Sequence, residues 1–193
     1  KDSNSPLPQT APHIKPNKTL SMGSMIKDAL YFLKSQSKDI EHYNQYLIIS
    51  ILLIIALLEI PNSFLFKGYH SDIATNLVIS LLITFLGLLV EVIFFVYWLG
   101  RKGKKYSFAT MLNFISMLSI SVSIVLVVSG AITFNLDPSS WASIIISILT
   151  VAYIFYFLTI VLSIATGVTK KYAFGGLLLI IGLIQISAQL LLL

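Results

Sequence analysis

The stretch FATMLNFISMLSISVSIVLVVSGAITF, residues Phe108–Phe134, decides the fold of this chain, and no charged residue lies between Lys105 and Asp137. A helix needs about 20 apolar residues to cross the ~30 Å hydrocarbon core of a bilayer, and this stretch is longer than that. The strands of a membrane barrel would alternate between polar and apolar residues instead. The stretch therefore predicts a transmembrane helix.

Four other apolar runs have the same character. Of the 193 residues, 56% are hydrophobic and 11% are charged, whereas soluble domains carry about 25% charged residues. This composition excludes an ordinary soluble enzyme and a disordered chain. The runs are Tyr46–Ile60, Asn76–Leu99, Trp141–Ala165 and Tyr172–Leu193. The first spans a bilayer only if its helix starts near Tyr43 or continues through Pro61 to Phe66. We therefore predict an all-α membrane protein, a bundle of five transmembrane helices over residues 41–193.

The segment before the bundle divides into two parts. Residues 1–20 contain four prolines among polar residues and predict a disordered tail; because the chain starts with Lys1, we expect a removed or missing upstream segment. Residues 21–40 hold apolar side chains at helical spacing, which predict an amphipathic helix on the inner membrane surface: Met22, Met25, Ile26, Ala29, Leu30 and Leu33. The alternative is a helix packed on the protein's own loops or on a partner.

The basic residues predict the orientation of the bundle. Twelve of the 13 Lys and Arg residues precede the first helix or lie in the loops after the second and fourth helices, and Lys67 alone lies on the other side. Basic loops stay in the cytoplasm, which places the N-terminus inside and the C-terminus outside. The single arginine and the many isoleucines suggest an AT-rich genome, so we expect a bacterial plasma membrane.

Polar side chains inside the predicted helices are candidates for function. Glu91 comes first, because an ionisable group in a spanning helix is costly and often functional. By helix depth, Asn113 and Tyr156 are its possible partners, and Gln185 and Gln189 share one face of the last helix. These five residues could form a polar path through the membrane. Alternatively, Glu91 is a neutral acid that holds helices together.

Two further sets of residues have simpler expected roles. The basic loops fix the topology and contact anionic lipid headgroups or an acidic partner: Arg101, Lys102, Lys104, Lys105, Lys170 and Lys171. Small residues allow close helix packing: Ser116, Ser119, Ser123, Gly176 and Gly182. We expect no catalytic residue, cofactor, metal ion or nucleic-acid partner, because no nucleophile has a base nearby in the sequence and the lysines are explained as inner-leaflet anchors.

Two loops carry a resemblance to a known family. The sequence Gly-Arg-Lys-Gly-Lys-Lys-Tyr-Ser-Phe at 100–108 leads into the third helix, and Thr-Lys-Lys-Tyr-Ala-Phe at 169–174 leads into the fifth. With the predicted layout, this resembles the Yip1 domain family in its prokaryotic form. The resemblance implies a five-helix, non-enzymatic membrane protein that assists others. The Asp-Leu-Tyr-Gly-Pro motif of eukaryotic members is absent, so small-GTPase binding is not implied.

Two functional hypotheses follow from the residues. The leading one is a structural or accessory subunit of a membrane assembly, since small-residue packing faces are extensive and titratable groups do not converge. The alternative is a small transporter or channel with Glu91 in its path. Both hypotheses require the lipid bilayer, and the first also requires other membrane proteins as partners.

Overall fold

The computed structural model describes residues 22–65, 73–137 and 139–191, and within these ranges all regular structure is helical. There are six α-helices: α1 (Met22–Leu33), α2 (Ile48–Leu65), α3 (Ile73–Gly100), α4 (Phe108–Thr133), α5 (Trp141–Thr166) and α6 (Lys170–Leu191). A 3₁₀ helix, Ile40–Gln45, precedes α2. The predicted tail, residues 1–20, lies outside the described residues.

Three of these helices are long and apolar enough to cross a membrane. They are α4 and α5 over their whole lengths and α3 from Leu81 to Gly100. The all-helical class and the compatibility with a membrane protein are therefore confirmed, whereas the count of five spanning helices is not. In α2 the apolar stretch with described side chains, Ile48–Pro61, is shorter than these spans, and the helix continues to Leu65. The helix lacks one hydrogen bond at this proline, because proline has no N–H to donate to the carbonyl four residues earlier.

Local sequence signals set the ends of the long helices. Ser107 caps α4 by accepting a hydrogen bond from the Thr110 amide at 3.1 Å, and Ser140 caps α5 in the same way. Serine at this position satisfies an amide that has no partner inside the helix. Gly167 ends α5 with φ +66°, a left-handed conformation that glycine adopts without steric cost.

The central helix of the bundle is α4. It contacts α1, the 3₁₀ helix, α2, α3 and α5, and its residues from Met111 to Ser123 supply most of its buried side chains. In its N-terminal half, three aromatic rings pack together: Phe114 lies 6.0 Å from Phe32 and 5.5 Å from Tyr43 between ring centroids. This aromatic cluster joins α1 and the 3₁₀ helix to the core.

The predicted amphipathic helix divides its apolar face between two environments. Met25 and Ala29 are buried against the bundle, whereas Met22, Ile26 and Leu30 are about two-fifths exposed. The helix is shorter than predicted because Ser35, with φ +55°, ends it in a left-handed turn in which the Gln36 amide donates to the Tyr31 carbonyl. A position on the membrane surface is not confirmed, since α1 packs on α4 and α5.

Candidate functional sites

A buried carboxylate in α1 forms the densest polar cluster among the described residues. Asp28 is 7% exposed. Its Oδ2 accepts a hydrogen bond from the Tyr46 hydroxyl at 2.5 Å and lies 2.9 Å from Nε2 of His42. Its Oδ1 lies 3.4 Å from the Lys38 ammonium. Both carboxylate oxygens are thus engaged by residues that follow α1 in the chain.

The surroundings of Asp28 keep it charged. Burial acts to raise the pKa of this carboxyl, but the hydrogen bonds from Tyr46 and His42 and the charge of Lys38 outweigh burial, so the pKa lies below its ordinary value of 3.8. The pKa of Tyr46 is raised far above its usual range by burial and by its hydrogen bond to the carboxylate. Tyr46 therefore remains a hydrogen-bond donor, and the arrangement ties α1 to the start of α2.

A cavity of about 580 Å³ opens beside this cluster. Apart from the Asp28 group, its walls include the side chains of Lys27, Tyr31, Gln36 and Gln45. The apolar spacing of residues 21–40 does not predict this arrangement, because the partners of Asp28 lie 10, 14 and 18 residues further along the chain. The only sequence signal is the i, i+4 spacing of Lys38 and His42, whose side-chain nitrogens lie 3.1 Å apart.

Two backbone carbonyls attach α1 to the middle of the long helices. The Ser121 hydroxyl donates to the Ala29 carbonyl at 2.9 Å, and the Tyr153 hydroxyl donates to the Leu33 carbonyl. At about 1.5 Å per residue, Ser121 lies roughly 20 Å along α4 from Phe108. The end of α1 therefore lies beside the middle of α4 and α5, and not beside the loops at their ends.

The predicted intramembrane polar residues are not joined to one another in the described parts of the chain. Glu91 on α3 and Asn113 on α4 are half-buried, but no hydrogen bond links them. Tyr156 is 60% exposed and faces a groove between α5 and α6. Gln185 and Gln189 lie in α6, but their side chains lie outside the described part. The polar path stays a prediction.

One end of the bundle brings two predicted basic loops together. Lys102 and Lys104, after α3, line one cavity of about 520 Å³ with Lys171, at the start of α6. The Lys102 ammonium lies 5.0 Å from the centroid of the Tyr172 ring, a favourable cation–π geometry. The other predicted headgroup contacts are exposed but do not line this cavity: Arg101, Lys105 and Lys170.

The predicted packing residues lie in different environments. Ser116 and Ser123 are buried in α4, and the half-buried Ser119 donates to the Ile115 carbonyl of its own helix. Gly176 packs against Trp98, where a Cβ atom would lie 2.7 Å from the indole Nε1. Around Gly182 nothing lies within 4 Å of such a Cβ. Of these residues, Gly176 is the one at which a helix contact requires the absence of a side chain.

Comparison with known proteins gives no relative from which a role could be transferred. The sequence matches no model of a protein family, no curated protein and no solved structure at a significant level. The geometry of the described residues is therefore the basis for the functional conclusions that follow.

Proposed function

We propose that this chain is a non-catalytic accessory subunit of a membrane assembly, with five transmembrane helices, a cytoplasmic N-terminus and an external C-terminus. In this proposal α2 and α6 span the membrane together with α3, α4 and α5. The convergence of Lys102, Lys104 and Lys171 at one end of the bundle supports this orientation, because basic residues collect on the cytoplasmic side. The same end would contact anionic lipid headgroups.

The observation that carries the accessory role is the exposure of the outer half of α5. Trp141 is 81% exposed, and Ile148 and Leu149 are each 62% exposed. Only 11% of the apolar window of α5 is buried, against 39% for α4. Helices in membranes associate through van der Waals packing along their length. A helix of a partner protein would supply the packing that the chain itself does not give to this half of α5.

Membership in the Yip1 domain family and a bacterial plasma membrane stay part of this proposal. Both agree with a protein that assists others, and neither is needed for the argument from α5. The apolar stripe of Met22, Ile26 and Leu30, each about two-fifths exposed, is the part of α1 that would contact lipid. In that position α1 would face the protein on one side and lipid on the other.

Site-specific photocrosslinking tests the accessory role. A photoreactive amino acid at Ile148 should crosslink to one membrane protein that copurifies at close to equal stoichiometry in mild detergent. Ile83 on α3 is the comparison position, since it is an isoleucine of similar exposure, 65%. The α3 window is 17% buried, against 11% for α5, so Ile148 should crosslink to the partner more strongly than Ile83. The variant Ile148→Trp should reduce copurification without changing the yield of the chain. Crosslinks to lipid alone from both positions, or a self-dimer, would contradict an accessory role.

A further inference from the structure

We propose that the α3–α4 and α5–α6 loops together form a binding site for a phosphate group, which an inner-leaflet phospholipid supplies in the membrane. The site is the cavity of about 520 Å³ lined by Lys102, Lys104 and Lys171. None of its lining residues in the described part of the chain is acidic. Three lysines line this one cavity, and a bound anion would offset the accumulation of positive charge there.

Aromatic packing holds one side of this phosphate site in place. The Tyr172 ring stacks on Trp98 with 4.7 Å between centroids and an interplanar angle of 16°. The Tyr172 hydroxyl donates to the Trp98 carbonyl at 2.7 Å. The Lys102 ammonium also lies over the Tyr172 ring, 5.0 Å from its centroid. The position of Lys102 is thus fixed by residues from both α3 and α6.

A glycine lies beside another lysine of the phosphate site. The Lys104 ammonium lies 3.3 Å from the place that a Cβ atom of Gly167 would occupy. Any other residue would bring its side chain into that space, in addition to the strain of the left-handed backbone at φ +66°. Gly167 at the end of α5 therefore leaves this space to the end of the Lys104 side chain.

The location of the site favours a phospholipid as the source of the phosphate. The cavity lies at the end of the bundle where α3 and α5 finish and α4 and α6 begin. Tryptophan and tyrosine side chains lie next to it, and these residues concentrate at the headgroup level of membranes. Basic pockets between transmembrane helices on the cytoplasmic side are known to bind phospholipid headgroups. This assignment of the source rests on the orientation proposed above, but phosphate binding itself does not depend on the accessory role.

Two triple variants of equal charge distinguish a built site from diffuse attraction. Lys102→Gln, Lys104→Gln and Lys171→Gln together remove the cavity lysines. The control combines Arg101→Gln, Lys105→Gln and Lys170→Gln, which removes the same charge from the same two loops. The full chain is purified, mixed with equal amounts of phosphatidylglycerol and phosphatidylcholine, and analysed by native mass spectrometry for retained lipid.

We expect the cavity variant to retain about tenfold less phosphatidylglycerol than the original chain, because it loses direct contacts to the phosphate. The control should lose less than about threefold, because its residues do not line the cavity and an exposed charge without a direct contact contributes little. Equal losses in the two variants, or no loss in the cavity variant, would overturn the site. If the triple variant does not elute as a folded protein, Lys171→Gln against Lys170→Gln gives the same comparison.

A soluble competitor identifies the source of the phosphate. Glycerol 1-phosphate at millimolar concentration is added to the lipid-loaded chain. Retention of phosphatidylglycerol under these conditions supports the phospholipid assignment. Displacement that depends on the cavity lysines would support a phosphate site and overturn the phospholipid as its occupant. Because this assay uses the isolated chain, it can fail or succeed independently of the crosslinking test.

Discussion

The substitution Asp28→Asn tests whether the buried carboxylate holds α1 on the bundle. The asparagine has the same shape but no charge, so the interactions of Tyr46, His42 and Lys38 with Asp28 are weakened. A hydrogen bond to a charged group contributes about 1.5–3 kcal/mol, and one between neutral groups about 1 kcal/mol. The Lys38 side chain is 54% exposed, and an exposed pair adds less than about 1 kcal/mol.

These contributions predict a cost of about 2–3 kcal/mol for docking of α1, which corresponds to roughly 30- to 150-fold in the docking equilibrium. Hydrogen–deuterium exchange in detergent measures this directly. The amides of α1 should exchange faster by about that factor, while those of the α4 core should change little. Asp39→Asn is the matched control, since Asp39 is exposed, and such a surface change usually costs within about 0.5 kcal/mol.

A second test of Asp28 is the pH dependence of the difference in α1 amide exchange between Asp28→Asn and the original chain. Because the pKa of Asp28 is lower in the folded protein than in the unfolded chain, its contribution is complete above the unfolded value, about 4, and is lost as the pH falls through the folded value. The gap in α1 exchange between Asp28→Asn and the original chain should therefore be full at neutral pH and shrink below about pH 4. An effect of Asp28→Asn below about 0.5 kcal/mol at neutral pH, or no more than that of Asp39→Asn, would refute the reasoning.

Three other substitutions test separate contacts. Gly176→Ala should lower thermal stability in detergent by about 1–3 kcal/mol through overpacking against Trp98, whereas the neighbouring Gly175→Ala, with open space around it, should be neutral or stabilising. Ser35→Gly should slow exchange in α1 by stabilising its left-handed end by about 0.5–1 kcal/mol, and equal or faster exchange would contradict this. Tyr153→Phe removes the hydroxyl that donates to the last carbonyl of α1, so it should cost about 1 kcal/mol of docking, seen as faster exchange at the end of α1 only.

The positions of the long helices could be predicted from the sequence, because length and apolar composition determine them. The predicted start of α4 at Phe108 and of α5 at Trp141 agree with the structure. In both cases a serine at the preceding position supplies the cap. The continuation of α2 through Pro61 was one of two possibilities, because a proline permits a helix to continue when the surrounding contacts favour it.

The pairing of the helices could not be predicted in this way. A helix that is apolar on all sides carries no marked face, so its sequence does not show which neighbour it contacts. Trp98 stacks on Tyr172 and so joins α3 to α6, whereas Gly182 has open space around it. Both features depend on how each helix is rotated about its axis and on how deep it lies relative to its neighbours. The burial of Asp28 was missed for a related reason, since its partners follow a turn whose geometry the pattern does not specify.

The polar contacts that hold α1 on the bundle differ in one respect, which is whether their donors keep an acceptor when α1 detaches. The Ser121 hydroxyl, which bonds to the Ala29 carbonyl, also lies 3.3 Å from the Met117 carbonyl of its own helix. It therefore keeps an acceptor without α1, as serines in membrane helices commonly do. Among the partners of Asp28, His42 keeps Gln45, whose Nε2 lies 2.7 Å from the His42 Nε2. The Tyr46 hydroxyl instead loses both of its acceptors, Asp28 and the Ser24 carbonyl, because both belong to α1. The attachment of α1 thus depends on Asp28 more than on the serine, although both contacts are buried.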